Sequence, residues 1–198
     1  GSLNFYFYSS VALLLALAGL LVTIEEPWVG VVLALMATAA TAVWSRSGRL
    51  YTLLHAAVYL LAAAIASGSL GYGAQALVAG MDGPWATPGL AMLIVVAAGV
   101  SCSGLAARQP TSSGDEVAIG TRFVVILVCV WTTAGALIGY LAPVAGGLPG
   151  GGVDPGVLAT VRTGVLSLAT LLIAWMSRQD RFREWGWLVY PLLIGIGL

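Results

Sequence analysis

Apolar residues run in long blocks along this chain, and short polar or glycine-rich turns separate them. A block of about 20 apolar residues is the length a helix needs to cross a bilayer. Read this way, residues 5–24, 28–44, 50–66, 89–107, 123–141 and 157–176 predict six spanning helices, and a seventh begins at Trp185. The stretch 68–88 is too polar and glycine-rich to span, and its middle, 74–81, reads as a segment lying flat at the interface. The segment 143–156 holds six glycines and three prolines and reads as an irregular, mobile loop.

Two of the turns match. Ala42-Val43-Trp44-Ser45-Arg46-Ser47-Gly48-Arg49-Leu50 is followed by Val58-Tyr59. Ala174-Trp175-Met176-Ser177-Arg178-Gln179-Asp180-Arg181-Phe182 is followed, at nearly the same distance, by Val189-Tyr190. Each is an apolar run, a Ser-Arg-x-x-Arg turn and a second apolar run. The match predicts a parallel repeat of four-helix units, 1–107 and 122–198, inside one transmembrane domain. The alternative is that basic turns flanked by aromatics resemble one another in any membrane protein.

Composition agrees with the pattern. Hydrophobic residues make up 60% and charged residues 8%, and the mean hydropathy is +0.99. Soluble domains carry roughly 25% charge, and a water-soluble fold of this length cannot hide so much apolar surface. The expected class is therefore all-α: a polytopic integral membrane protein with the lipid bilayer as its solvent. A formal net charge of zero argues against a nucleic-acid partner, which wants a basic face. All eight basic residues are arginines, so a Schiff-base cofactor, which needs a lysine amine, is excluded. Two cysteines and one histidine are too few for the usual zinc or iron–sulfur ligand sets. Cys102 and Cys129 lie in apolar runs and read as small packing residues. No cofactor is implied.

The turns alternate in charge. Glu25 and Glu26 are followed by Arg46 and Arg49. Asp82 comes next, then Arg108 and Arg122, then Asp154, and last Arg178, Arg181 and Arg183. Arginine collects in cytoplasmic loops. The expected arrangement is multi-pass in the plasma (inner) membrane with a cytoplasmic N-terminus. Gly1-Ser2 reads as a tag scar or the start of a processed chain, and the apolar run at the C-terminus reads as a span that continues past Leu198.

Few polar residues sit inside the apolar runs. Arg162 lies eight residues past Asp154, about 12 Å along a helix, and an arginine at membrane depth costs about 2.5 kcal/mol or more. It reads as an anion or lipid-headgroup site, or as a structural partner of Glu25, Glu26, Asp82 or Asp154, or as a residue snorkelling to the interface. Thr132, Thr133, Ser167 and Thr170 read as a polar path between spans five and six, or as hydroxyls bonded to their own helices. His55 and Ser103 lie at similar depth. They read as a base and a nucleophile, or, for His55, as a pigment ligand or an inter-helix hydrogen bond; a bis-histidine haem would need a second histidine. Ser101-Cys102-Ser103-Gly104 resembles the Gly-x-Ser-Gly of rhomboid proteases in its final Ser-Gly alone. Ser101 replaces the first glycine, and the histidine precedes the serine in the chain. Three functions follow: a non-enzymatic scaffold or accessory subunit among other membrane protein subunits, a transporter or lipid-handling protein using Arg162, and an intramembrane hydrolase using Ser103 and His55.

Overall fold

The structure, a computed structural model, describes residues 2–26, 28–78, 86–109, 115–148, 151–179 and 185–196. Within these it is all-helical: α1 (Ser2–Thr23), α2 (Trp28–Ser47), α3 (Leu50–Ala66), α4 (Ser69–Leu77), α5 (Leu90–Ala106), α6 (Glu116–Gly146), α7 (Pro155–Met176) and α8 (Val189–Ile196). Among the described residues three helices, α2, α6 and α7, are long and apolar enough to cross a membrane. The pair α3–α4 joins them as a broken span or re-entrant loop, bent by 70°. The apolar helix α5 has 17 residues. The expectation of about seven spans is thus supported in its coarser form, an all-helical chain with several candidate membrane helices.

The core lies where α2, α3, α5 and α6 meet. On α2 the buried positions are Val29, Gly30, Leu33, Ala34, Ala37, Thr41 and Trp44, spaced three and four apart so that they share one face. Most are small, which lets backbones approach closely where lipid gives no hydrophobic drive between helices. A Cβ placed on Gly30 would stand 3.0 Å from Ser67 Cβ and 3.1 Å from the Ala63 carbonyl oxygen, so α2 and α3 touch nearly backbone to backbone. The outer faces are the reverse: Leu35 is 62% exposed, Leu171 68% and Trp175 62%. Large apolar side chains turned outward along several helices suit hydrocarbon and not water.

The basic turns 45–49 and 108–109 share one end of the bundle. The Gln109 side chain donates to the Ser45 carbonyl at 3.0 Å, and Trp44 Nε1 donates to the Ala106 carbonyl at 3.5 Å. The opposite end holds the α2–α3 approach at Gly30 and Ser67, and the Tyr140 hydroxyl donating to the Pro88 carbonyl at 2.9 Å. The matched second turn cannot be compared, because 180–184, with Arg181 and Arg183, lies outside the described residues.

Three segments differ from expectation. First, the short helix forms at Ser69–Leu77, five residues before the expected interfacial segment, whose last residues, 79–81, lie outside the description. One face of it packs inward, while Gly71, Ala74 and Gln75 stay exposed. Gly68 turns the chain at φ +73°, a conformation that favours glycine, and α4 then packs along α6. A Cβ on Gly135 would lie 2.7 Å from the Gly73 Cα, and Trp131 Nε1 donates to the Leu70 carbonyl at 3.1 Å. Ala76 is completely buried. Second, α6 starts at Glu116 and not near Phe123. Asp115 caps it, its Oδ1 accepting the Ala118 N–H at 3.2 Å, so Arg122 belongs to the helix and not to a polar loop. The same helix runs through Pro143 to Gly146. Pro143 lacks the N–H that would bond the Gly139 carbonyl, yet the turn after it closes, with Gly147 N–H donating to the Pro143 carbonyl at 3.0 Å. Third, the glycine-rich stretch is not irregular throughout. Gly147 and Val153 form an isolated antiparallel bridge, with Leu148 N–H donating to Gly152 O at 2.8 Å and Asp154 N–H to Gly146 O at 3.0 Å.

The α4–α6 contact predicts a contrast between two glycines of one helix. Gly135→Ala should destabilise the purified protein by about 1–3 kcal/mol, because its methyl meets backbone that cannot give way. Gly120→Ala has open space and should stabilise by about 0.5–1 kcal/mol. Thermal unfolding in a mild detergent reads both, and equal melting temperatures would contradict the close packing.

Candidate functional site

Helix α7 is started by Pro155 in its first turn and by Asp154 as N-cap, whose Oδ1 accepts the Val157 N–H at 3.0 Å. That cap engages the carboxylate nearest Arg162 in sequence. Arg162, two turns into α7, reaches the C-terminal end of α4. Its Nε donates to the Ala76 carbonyl at 2.6 Å and its Nη2 to the Gln75 carbonyl at 3.1 Å. The last carbonyls of a helix have no intrahelical partner and carry the negative end of its dipole. A guanidinium, planar and with several fixed donors, suits two of them at once. Leu158, Val161 and Val165 pack around Ala76 and Leu77 and hold the two helices together there. Glu25 and Glu26 are exposed at the α1–α2 turn, and Asp82 lies outside the described residues.

Arg122 repeats the device at the other end of the bundle. It is 4% exposed. Its Nη2 donates to the Ala106 carbonyl, the last of α5, at 2.7 Å, and also to the Gln109 carbonyl. The Ala106 oxygen also receives Trp44 Nε1 at 3.5 Å. Sequence reasoning placed Arg122 in a loop and missed this role. The available signal was Asp115-Glu116 ahead of an apolar run, a helix-start pattern that places Arg122 nearly two turns inside.

His55 and Ser103 bond different partners. The His55 Nε2 lies 3.0 Å from Ser9 Oγ of α1, and its ring stands edge-on between Tyr51 and Tyr59, at centroid distances of 6.3 and 6.2 Å. The Ser103 hydroxyl, buried on α5, donates to the Gly99 carbonyl of its own helix at 2.9 Å. Among the described residues no hydrogen bond joins the two.

The polar path resolves in the same way. Thr132 donates to the Val128 carbonyl at 2.8 Å and Thr170 to the Leu166 carbonyl at 2.7 Å, each one turn back in its own helix. Thr133 Oγ1 is buried without a hydrogen-bond partner among the described residues, and Ser167 is half-buried on α7. Cys102 Sγ lies 3.9 Å from Thr38 Oγ1, and both cysteines are free thiols. Among the described residues no group of His, Cys, Asp and Glu is arranged to hold a metal ion. No family model, curated protein or solved structure matches this chain.

The arrangement predicts a stability role for Arg162. Arg162→Leu leaves the Gln75 and Ala76 carbonyls without their guanidinium and should lower stability by about 1–3 kcal/mol. Arg162→Lys, with one donor group in place of a fork, should recover only part of it. Thr132→Val, which removes a bond within one helix, should change stability far less. Melting temperatures in detergent rank the three, and an unperturbed Arg162→Leu would contradict the capping role.

Proposed function

We propose that this chain is the transmembrane helical domain of a non-enzymatic scaffold or accessory subunit within a larger membrane assembly. One observation carries the reading: the polar side chains expected to do chemistry are mostly engaged by the protein's own backbone or by another helix. Arg162 and Arg122 end helices, Ser103 and Thr132 bond within their own helices, and His55 bonds Ser9. Groups so engaged are poorly placed to bind or turn over a substrate. In this reading the chain crosses the plasma (inner) membrane about seven times, with the basic turns and the N-terminus on the cytoplasmic side, as arginine distribution favours.

A second reading, a transporter, draws on the bent α3–α4 pair. Broken helices at membrane depth are tolerated where they are buried in protein or line a cavity, and in secondary transporters their ends flank the substrate. Here the C-terminal end of α4 is occupied by Arg162, which favours the scaffold.

Two experiments test these statements. Cysteine labelling at Ser47→Cys should report the cytoplasm and at Gly151→Cys the outside; Ser113, the third position suited to this test, lies outside the described residues. Labelling of Ser47→Cys from outside the cell would overturn the orientation. Affinity purification of the full chain from its native membrane after mild cross-linking should recover a stoichiometric membrane protein partner. A chain recovered alone that moves an ion or small solute in proteoliposomes, with the activity lost in Arg162→Leu, would replace the scaffold with the transporter.

A further inference from the structure

Between α3 and α6 the surface opens into a groove of about 360 Å³, walled by Leu54, Ala57, Val58 and Leu61 on one side and Val117, Gly120, Thr121 and Val124 on the other. The walls are almost wholly apolar. The single hydroxyl among them, on Thr121, is turned to its own helix and donates to the Val117 carbonyl at 2.7 Å. Gly120 deepens the floor, since a Cβ there would meet nothing within 4 Å. The volume falls at the low end of small-ligand clefts, about 300–1,000 Å³, so it takes a hydrocarbon chain and leaves a headgroup outside.

The foot of the groove is charged. Tyr51 precedes Leu54 by three residues and Val58 by seven, so it lies on the same helix stripe at the end of the basic turns. The Arg49 Nη1 donates to the Tyr51 hydroxyl at 3.2 Å, which sets an exposed guanidinium beside the α3 wall. On the α6 wall the residue before Val117 is Glu116, also exposed. Leu50 and Ala118 belong to one buried cluster, so α3 and α6 start at the same end of the bundle. Arg49 forms no ion pair among the described residues. Asp115, the next carboxylate, is held as the α6 cap.

We propose that this groove is a phospholipid site that takes one acyl chain of phosphatidylethanolamine, with the lipid phosphate on Arg49 and its ammonium on Glu116. The choice of headgroup follows from the pair of charges. A phosphate alone satisfies Arg49 but leaves Glu116 facing an anion, and phosphatidylglycerol offers nothing cationic to it. The zwitterionic head meets both charges, and the guanidinium suits phosphate oxygens in a two-donor geometry. The apolar walls hold the chain by van der Waals packing, because the surrounding hydrocarbon gives no hydrophobic drive.

The test uses the full chain in nanodiscs of equal phosphatidylethanolamine and phosphatidylglycerol, released into detergent and weighed by native mass spectrometry. Wild type should retain one phosphatidylethanolamine in preference to phosphatidylglycerol. Gly120→Leu fills the groove and should abolish retention without lowering the melting temperature. Val58→Phe narrows it from the opposite wall and gives the same reading should the first variant fold poorly. Arg49→Gln and Glu116→Gln should each lower the preference about fivefold, the scale of one interfacial charge contact. Equal retention of both lipids by wild type, or retention unchanged in Gly120→Leu and Val58→Phe, would overturn the proposal. So would a photo-cross-linker at Val124 that captures a protein and not a lipid.

Discussion

A helix that ends away from water leaves carbonyl oxygens that nothing in hydrocarbon can satisfy, and this fold answers that constraint with arginine. Two helices end against other helices, α4 beside α7 and α5 beside α6, and in each case a guanidinium from the neighbour takes the terminal carbonyls. An unsatisfied buried carbonyl costs about 1–3 kcal/mol, and a buried arginine without acceptors is costly as well. Each arginine therefore offsets part of its own burial by relieving another. The fork-shaped donor set matches adjacent carbonyls, and the negative end of the helix dipole favours a cation there.

Close backbone approach is the second half of the same arrangement. Arg162 can reach Ala76 only because α4 is drawn down onto α6, and glycine permits that. Gly73 meets Gly135 and the edge of Trp131, while Tyr72 covers Gly139. A side chain at Gly135 would lift α4 and carry the Gln75 and Ala76 carbonyls away from α7. The bend at Gly68, the glycine contact and the guanidinium thus act on one short helix from three sides, which makes their effects coupled and not additive.

The long, mostly apolar runs of α2 and α7 were legible from residue pattern alone, because segments of that length with so little charge admit few alternatives. The small buried face of α2 was legible for the same reason. What escaped was everything set by a partner distant in sequence. Helix α4 is weak by propensity, with glycines at 71 and 73, and forms where α6 supports it. The start of α6 at Glu116 hung on one capping aspartate outweighed by nearby polar residues. Pro143 reads as a breaker, yet the helix runs on through it to Gly146. For the site, the depth of Arg162 could be computed from its distance to Asp154, but carboxylates were the only partners a sequence makes visible. Backbone carbonyls 86 and 87 residues away leave no trace in side-chain identity.

That last point bears on how an intramembrane arginine is weighed. Its presence alone invites an anion, because charge in hydrocarbon is uncommon and often functional. The decisive quantity is how many of its five donors the protein already occupies. In Arg162 two nitrogens are committed to α4, and in Arg122 one nitrogen serves two carbonyls behind a side chain almost wholly removed from the surface. A ligand that took these same donors would have to displace helix-terminal carbonyls. Arg49 stands in the opposite condition, exposed at the rim with a phenol hydroxyl as its described partner. By that criterion the anion contact proposed above falls on Arg49, while the bonds of Arg162 and Arg122 serve helix ends.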